Sequence, residues 1–568
     1  MKFYRKGLVS ILAIAMLILA ACSNNGSGTA PSSPNQGSSS SNNTNEEYVI
    51  KVISDSSKTI KRSDETEIGK VIKEKFNIVF EYVYYTGNYI DKLNLMLAAG
   101  DYPEIVWMQG NDSLDKYISS GALLPLDDYL PNAPEFSKRY KEQIPLWRLV
   151  ASDEKLYKWE AGVPTSFENN VEVLDVGVRI DALEKQGWPN LLSTDDYIKF
   201  FKQSLKDFPT TNGQKTIGMV VPFAEPWGMQ GIGGIMYEKG GRTAGGAGNL
   251  GVIWNAVDKK FVDYMMDEYV KENLQFFNRL YIEGILDKES FTDTMTQINE
   301  KLASGRALSH WYFFGGQNQS VIQAGHPELQ MINMPIRSMT QMQRNEKRQI
   351  RVEDTRSHEM FGITKKAKHP DRIFQLLEWA SSDEGQILLQ SGIEGKHYTI
   401  ENGKRVPTEE FVQVIKNPES SSKVGFSLFR FLGNVGTNAP DGGPYSMQSA
   451  PDMQDKLTLT DEQKNAFTKL GWKNSKEYFL ETGEPAYTGI VASISLDSTS
   501  ELGSLQQKMV EFRVKNMAKL IIEPKNDAEF EDMYNTVISE YKKMNPERAV
   551  DKYNDLYKEK QAQLDKLK

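Results

Sequence analysis

The sequence predicts an α/β protein in which helices cover a mainly parallel sheet. Between residues 48 and 120, short runs rich in β-branched and aromatic residues alternate with amphipathic segments, a pattern typical of parallel strands joined by crossover helices. The stretch from residue 48 to the end has about 520 residues, which predicts at least two domains. The single cysteine leaves no disulfide within the chain, so a large buried core has to stabilise the fold.

The hydrophobic periodicity gives the order of the first elements. Ile68, Val71 and Ile72 lie at helical spacing in the first predicted helix, and Gly100 is expected to end the second. In chain order we predict strand 48–53, helix 65–75, strand 78–83, helix 90–97, strand 104–107 and helix 114–120.

The residues that follow the three strands form the first candidate site. Ligands of open parallel sheets bind beyond the carboxyl ends of the strands. Aromatic rings can stack on apolar ligand faces, and Asn and Asp can bond hydroxyl groups. The residues at these strand ends are Ser54, Tyr84, Tyr85, Trp107, Asn111 and Asp112, and we expect the last five to bind the ligand.

The amino-terminal region predicts export. Lys2, Arg5 and Lys6 precede an apolar run at 8–19, which is too short for a comfortable membrane span and is typical of a secretory signal at 1–21. Cys22 follows Leu19-Ala20-Ala21, and the motif resembles a bacterial lipobox, in which the cysteine is lipidated. Residues 22–47 are rich in Ser, Asn and Gly, so we expect a flexible linker after the anchor.

The charge excludes some classes of partner. The formal net charge is −9, and removal of the cationic leader makes it more negative. This balance argues against nucleic acid and against a surface that binds phospholipid headgroups. No second apolar run approaches 18 residues, so the lipid is the expected membrane attachment.

A series of motifs resembles the family 1 extracellular solute-binding proteins, the receptors of ABC sugar importers. Ala98 to Ile105 is followed by the stretch Ser120 to Leu126, which together resemble the first-lobe signature of that family. Segments 393–398 and 402–404 resemble the long, oligosaccharide-binding branch of Gram-positive lipoproteins. The further matching segments are 155–164, 178–187, 193–197, 302–306, 361–366, 369–372 and 383–386.

This resemblance implies a two-lobe, periplasmic-binding-protein-like fold of type II, with a mainly parallel sheet in each lobe. Lobe 1 is expected at 48–163 plus 355–470, and lobe 2 at 164–354 plus 471–568. The lobes would close on an oligosaccharide. The implied protein is a monomeric receptor without cofactor or catalytic residues, lipid-anchored outside the cell membrane, with ABC permease subunits and an ATPase as partners.

The resemblance also assigns residues. Trp311 and Tyr312 stand where the family supplies stacking aromatics, although a buried strand would have the same composition. Trp227 lies in a Pro-Trp-Gly loop and would either stack on the ligand or cap the core. Arg356 and Glu394 stand at crossover positions. Trp159 lies in the crossing segment and is expected to pack at the hinge. Asp175 and Arg179 have either a structural role or a role in ligand binding.

We expect no metal site. Relatives often have a D-x-D-x-N-G calcium loop, but the matching stretch at 208–213 keeps Asn212 and Gly213 without the leading acids. The five histidines show no zinc spacing. The G-x-G-x-x-G match at 246–251 precedes a strand-like run instead of a helix, so it predicts a loop and not a phosphate site.

Two other classes of function stay open from the residues alone. A secreted glycoside hydrolase would need two carboxylates that meet in the fold. A receptor for peptides or other non-sugar solutes should have a less aromatic cleft and more backbone pairing. Turnover of the ligand separates the hydrolase from a receptor.

Overall fold

The architecture is described from a computed structural model. It describes residues 46–53, 60–85, 87–169, 175–225, 228–229, 252–313, 317–450, 453, 457, 459–497 and 499–568. The predicted signal at 1–21, Cys22, nearly all of the linker, Ser54, Trp227 and the glycine-rich run at 246–251 lie outside the described residues.

The strands of the described residues are short, and most pair with strands distant in sequence. They are β1 (Tyr48–Ile53), β2 (Ile78–Val83), β3 (Ile105–Met108), β4 (Trp159–Glu160), β5 (Asp175–Arg179), β6 (Thr210–Thr211), β7 (Gln214–Lys215), β8 (Val252–Asn255), β9 (Lys260–Asp263), β10 (Ser309–Phe313), β11 (Met331–Met334), β12 (Arg348–Val352), β13 (Met360–Ile363), β14 (Tyr398–Glu401), β15 (Lys404–Pro407) and β16 (Gly483–Tyr487).

The helices include three long ones near the end of the chain. In order they are α1 (Glu67–Phe76), α2 (Tyr89–Ala99), α3 (Asn111–Ser119), α4 (Pro134–Arg139), α5 (Gln143–Arg148), α6 (Ile180–Lys185), α7 (Thr194–Asp207), α8 (Glu268–Ile282), α9 (Met295–Ala303), α10 (Asn318–Gln323), α11 (Met339–Arg344), α12 (Pro370–Ser381), α13 (Asp383–Ser391), α14 (Glu409–Lys416), α15 (Pro418–Val424), α16 (Asp461–Leu470), α17 (Ser475–Thr482), α18 (Glu501–Ile522), α19 (Asp527–Lys542) and α20 (Glu547–Leu567).

The first sheet confirms the predicted parallel strands. Its order is β2-β1-β3-β13-β4, and β1 pairs in parallel with both β2 and β3. The parallel arrangement does not extend to β13, which runs antiparallel to both of its neighbours in the sheet, β3 and β4. All four residues of β3 and all four of β13 are buried, as expected for strands covered on both faces.

Local signals explain where the first helices begin and end. The Thr66 hydroxyl accepts a hydrogen bond from the Gly69 N–H at the start of α1, and Asn77, at φ 50°, ends it. Asn88 caps α2, and Gly100, at φ 63°, ends it as predicted. Helix α3 begins at Asn111, three residues earlier than predicted, so Asn111 belongs to its first turn and not to a loop.

The second sheet is not parallel between its named strands. Its order is β10-β5-β11, and β5 pairs antiparallel with both neighbours. Isolated parallel bridges, such as Val220 with His310, extend it at the β10 side. Strand direction depends on long-range pairing and is not encoded in hydrophobic periodicity, which is why the sequence did not reveal this difference.

Two large hydrophobic clusters hold the molecule together. The first runs over residues between 48 and 163 and between 360 and 453, and the second over residues between 176 and 336 and between 466 and 549. A third, smaller cluster joins α5, the β8–β9 hairpin and α20. The boundaries of the two lobes stay a prediction. In the described part of the chain, no helix combines the length and apolarity that a membrane span requires.

Candidate functional site

Three aromatic rings lie together at the carboxyl end of β3. Tyr89 stacks on Trp107 with ring centroids 4.5 Å apart and 24° between the planes. The Tyr89 hydroxyl donates to the Trp107 carbonyl at 2.5 Å, and the half-buried Tyr85 ring lies 4.7 Å from that of Tyr89. Tyr85 and Trp107 are thus brought together as predicted for the strand ends, and Tyr89 is the residue that sequence reasoning missed.

A distant segment, 353–359, lies against the same strand end. The Gly110 N–H donates to the Ser357 carbonyl at 2.7 Å, and the Trp107 indole N–H donates to the His358 carbonyl at 3.0 Å. Segment 353–359 carries Arg356, one of the crossover candidates. We call the surface formed by Tyr85, Tyr89, Trp107, residues 110–112 and segment 353–359 the β3 edge.

Arg356 is firmly held at the β3 edge. Its guanidinium Nε lies 2.6 Å from the Glu353 carboxylate, and its backbone N–H donates to Glu160 Oε2 at 2.6 Å. The guanidinium also lies over Gly162, where a Cβ would be 2.7 Å from Arg356 Nη1. Gly162 has φ +84°, so both its backbone and its neighbour require glycine.

A buried ion pair between Lys158 and Glu160 helps to hold Arg356 in place. Lys158 and Glu160 have side chains only 3% and 0% exposed, and Lys158 Nζ lies 2.5 Å from Glu160 Oε1. Because Oε2 accepts the Arg356 N–H, both oxygens of Glu160 are used. A paired, hydrogen-bonded carboxylate is the form in which a buried charge is tolerated.

A cavity of about 190 Å³ opens beside Asn111. Burial raises the pKa of Asp115, and the nearby Asp112 carboxylate adds to the shift, although Asp115 keeps part of its surface in solvent. Burial lowers the pKa of Lys560, while Asp115 opposes that shift. The lining residues are Asn111, Asp115, Val150, Ser493, Ile494, Ser495, Leu556 and Lys560. Hydroxyl and amide groups of this kind can bond a polar ligand.

Trp311 is not part of this site. Its side chain is 0% exposed in the second hydrophobic cluster, and its ring packs against Phe277 at 4.8 Å and Phe276 at 5.9 Å. A ring enclosed by other side chains has no face for a ligand, so we leave Trp311 out of the proposed site. Tyr312 lies within β10, but its side chain is not among those described.

The remaining candidates are placed elsewhere or have structural contacts. The Tyr84 hydroxyl donates to the Ile60 carbonyl. Glu394 is exposed in the turn before β14, where its backbone forms an isolated β-bridge with Tyr398. Trp159 is buried and donates its indole N–H to the Phe431 carbonyl at 2.6 Å. Arg179 is buried, with Asp181 at 2.5 Å, and Asp175 begins β5.

An acidic cluster lies near the stretch that matches the calcium loop of relatives. Residues 210–215 form the β6–β7 hairpin, and Asn212 donates to the Ser304 carbonyl at 3.2 Å. The carboxylates of Asp287, Glu289 and Asp293 approach within 4.8 Å of one another. Lys301 Nζ contacts them at 2.7, 2.5 and 2.5 Å, so an ammonium group provides the positive charge at their centre.

Comparison with known proteins identifies the family of this chain and two similar proteins. A family described as "Bacterial extracellular solute-binding protein" matches residues 67–393. The chain is 25% identical over 331 residues to the fructooligosaccharide ABC transporter substrate-binding protein FusA of Streptococcus pneumoniae, a match that covers 56% of this chain and 59% of that protein. It is 23% identical over 404 residues to lipoprotein LipO of Bacillus subtilis, covering 69% of this chain and 73% of that one.

The fold is also similar to that of a solved solute-binding protein. The structure of the Streptococcus pneumoniae protein FusA in complex with kestose superimposes with a TM-score of 0.59 at 16% identity. The superposition covers 90% of this chain and 99% of that one. This similarity confirms the predicted two-lobe α/β fold.

Proposed function

Because the chain belongs to the bacterial extracellular solute-binding proteins, we propose that it is the oligosaccharide receptor of an ABC importer. Membership of this family also makes it a binding protein and not an enzyme, which sets aside the glycoside hydrolase. The half-buried Tyr85 ring at the β3 edge, which packs next to the buried Tyr89–Trp107 stack, carries the proposal, because an aromatic face is what a cleft uses to stack on sugar rings. The similarity to FusA, a fructooligosaccharide ABC transporter substrate-binding protein, supports the same class of ligand.

Closure of the two lobes is the proposed mechanism. The predicted lobe boundary at 354–355 lies within segment 353–359, which bonds Gly110 and Trp107 at the β3 edge. Beside it, β12 pairs in parallel with β16, and the Gly489 N–H donates to Asp354 Oδ2 at 2.7 Å. Chain crossings that lie side by side can act as one hinge. A ligand that contacts both lobes only in the closed form would then stabilise that form.

Location and partners complete the proposal. Cys22 would be lipidated after removal of residues 1–21, and the linker up to residue 47 would hold the folded part away from the membrane. The similarity to lipoprotein LipO supports an anchor of this kind. The receptor would work as a monomer outside the cell membrane and deliver its ligand to permease subunits served by an ATPase.

A thermal-shift experiment tests this function. The purified full-length protein is mixed with oligosaccharides of three to five sugars, and each mixture is also assayed for hydrolysis. A ligand that binds only the folded state raises the melting temperature, so we expect a rise with the sugar left intact. Cleavage of the sugar would contradict the proposal, and a rise with peptides alone would make the protein a peptide receptor.

Tyr85→Ala should weaken binding of the sugar that gives this shift. Loss of a stacking ring at a binding site costs about 1–2 kcal/mol, which is roughly a 5- to 30-fold increase in Kd. Calorimetric titration measures the change. Tyr84→Ala is the matched control, because the Tyr84 hydroxyl bonds the Ile60 carbonyl and its ring is not in the Tyr85–Tyr89–Trp107 group. Equal Kd values for the two variants would argue against the β3 edge as the site.

A further inference from the structure

The charges at the β3 edge bear on whether the ligand is neutral or a uronic-acid oligosaccharide. Recognition of a uronate carboxylate requires an Arg or Lys that can turn its donors towards the ligand, and a bidentate Arg is the strongest form of this contact. Each cation of the described β3 edge and its surroundings therefore has to be considered with the partners that it already has.

Arg356 is the arginine of segment 353–359, and its guanidinium is paired with a carboxylate. Its Nε lies 2.6 Å from Glu353, with the two side chains only 23% and 18% exposed. The same carboxylate lies 3.7 Å from Arg351. If Arg356 turned to a ligand, a largely buried Glu353 would lose its nearest counter-charge, which is unfavourable.

The other cations near this edge are engaged in the same way. Lys158 is buried with Glu160, and Arg430 lies 2.5 Å from Glu359. Lys560, in the cavity beside Asn111, donates to the Leu149 carbonyl. A ligand carboxylate would therefore compete with a protein partner for each of these cations.

Carboxylates add negative charge around the β3 edge. Asp112 is exposed in the first turn of α3, and Asp115 lines the cavity. On segment 353–359, the Asp354 carboxylate accepts the backbone N–H of Gly489. Although Lys560 offsets part of the Asp115 charge and Lys568 part of the Asp354 charge, an anionic ligand that approached these three carboxylates would meet repulsion.

We propose that the receptor takes an uncharged oligosaccharide and excludes polyuronates, because the cations of the β3 edge are already paired with carboxylates of the protein. This inference rests on the proposed function and specifies its substrate class. Neutral hydroxyl groups require no counter-charge and can bond the amide and hydroxyl groups beside Asn111.

The test compares neutral oligosaccharides of three to five sugars with oligogalacturonates of the same length on the purified full-length protein. We expect the best neutral ligand to bind at least about tenfold more tightly than any oligogalacturonate. Its Kd should change little between 20 and 300 mM salt, because screening acts on charge pairs. Tight, salt-sensitive binding of an oligogalacturonate would overturn the inference and leave the receptor function intact. If no saccharide of either class binds, the proposed function itself fails.

Glu353→Gln tests the cause of the exclusion. The change keeps the size of the side chain but frees the Arg356 guanidinium from its carboxylate, so we expect oligogalacturonate binding to improve about tenfold. An unchanged melting temperature without ligand, and an unchanged circular dichroism spectrum, show that the variant is folded. Glu359→Gln, which instead frees the more exposed Arg430, is the matched comparison and should give a smaller gain. No gain in Glu353→Gln would overturn the argument from Arg356.

Discussion

Glu160→Gln is expected to lower the free energy of unfolding by about 3–5 kcal/mol, because removal of one partner leaves a buried charge without compensation. The Lys158 side chain is 3% exposed and would keep its ammonium group in the core without the carboxylate. Chemical denaturation monitored by tryptophan fluorescence measures the change. Because the Glu160 carboxylate also accepts the Arg356 N–H, weaker ligand binding should accompany the loss of stability.

The double variant Lys158→Met/Glu160→Gln separates loss of the pair from general damage. It removes both charges while the Gln carbonyl can still accept the Arg356 N–H. Replacement of a buried ion pair by apolar groups is often neutral or stabilising, so most of the lost stability should return. Glu154→Gln, an exposed site nearby, should be silent. A double variant no more stable than Glu160→Gln would show that the ion pair is not the cause.

Lys301→Met is the second change with a large expected effect. Lys301 is 8% exposed and pairs with three carboxylates, which would repel one another without it. Burial alone would lower the pKa of Lys301, but hydrogen bonds to Asp287, Asp293 and Glu289 raise it above its ordinary value. We expect a loss of about 3–5 kcal/mol at pH 7, measured by chemical denaturation. Lys288→Met, at an exposed position, is the control.

The pH dependence of this variant has a definite sign. In the wild type, the Lys301 hydrogen bond lowers the pKa of Glu289, so this contribution to stability is present above the carboxyl's unfolded pKa and is lost as pH falls. In the variant, the carboxylates repel one another when charged, so protonation relieves the repulsion and the folded state gains stability as pH falls. The difference between the two proteins should therefore shrink from pH 7 towards pH 4.

Calcium offers an independent check of the same cluster. The three carboxylates lie within 4.8 Å of one another, and calcium prefers such oxygen ligands. Millimolar calcium should raise the melting temperature of Lys301→Met and leave that of the wild type unchanged. An equal rise in both proteins would mean that the ammonium group does not take the place of a cation.

The sequence was sufficient for the elements whose signals are local. Strands β1 to β3 were expected from alternating or continuous apolar runs, and Gly100 ends α2 as predicted. The pairing of β5 was not accessible, because both of its partners lie more than 120 residues away along the chain. Periodicity identifies a strand, whereas its neighbours depend on the whole fold.

The site was predictable only at the strand ends. Tyr85 and Trp107 could be proposed because the topology gathers carboxyl ends. Tyr89 opens helix α2, and its stacking on Trp107 depends on a contact that the local sequence does not contain. Trp311 shows the limit, since an aromatic residue in a short apolar run has the same pattern whether it faces a ligand or a core. Its burial against Phe276 and Phe277 depends on helix α8, which the local sequence does not contain.

The packing of α20 has a consequence for how this chain completes its folding. Lys560 bonds the carbonyl of Leu149, 411 residues earlier, while Asn554 bonds the backbone of Phe261 in the β8–β9 hairpin. Helix α5 and this hairpin therefore have their apolar surface covered only after α20 has been synthesised. Such distant contacts slow folding and prolong the exposure of apolar surface. A nascent chain that lacks α20 would be a target for chaperones, even with most of both main cores formed.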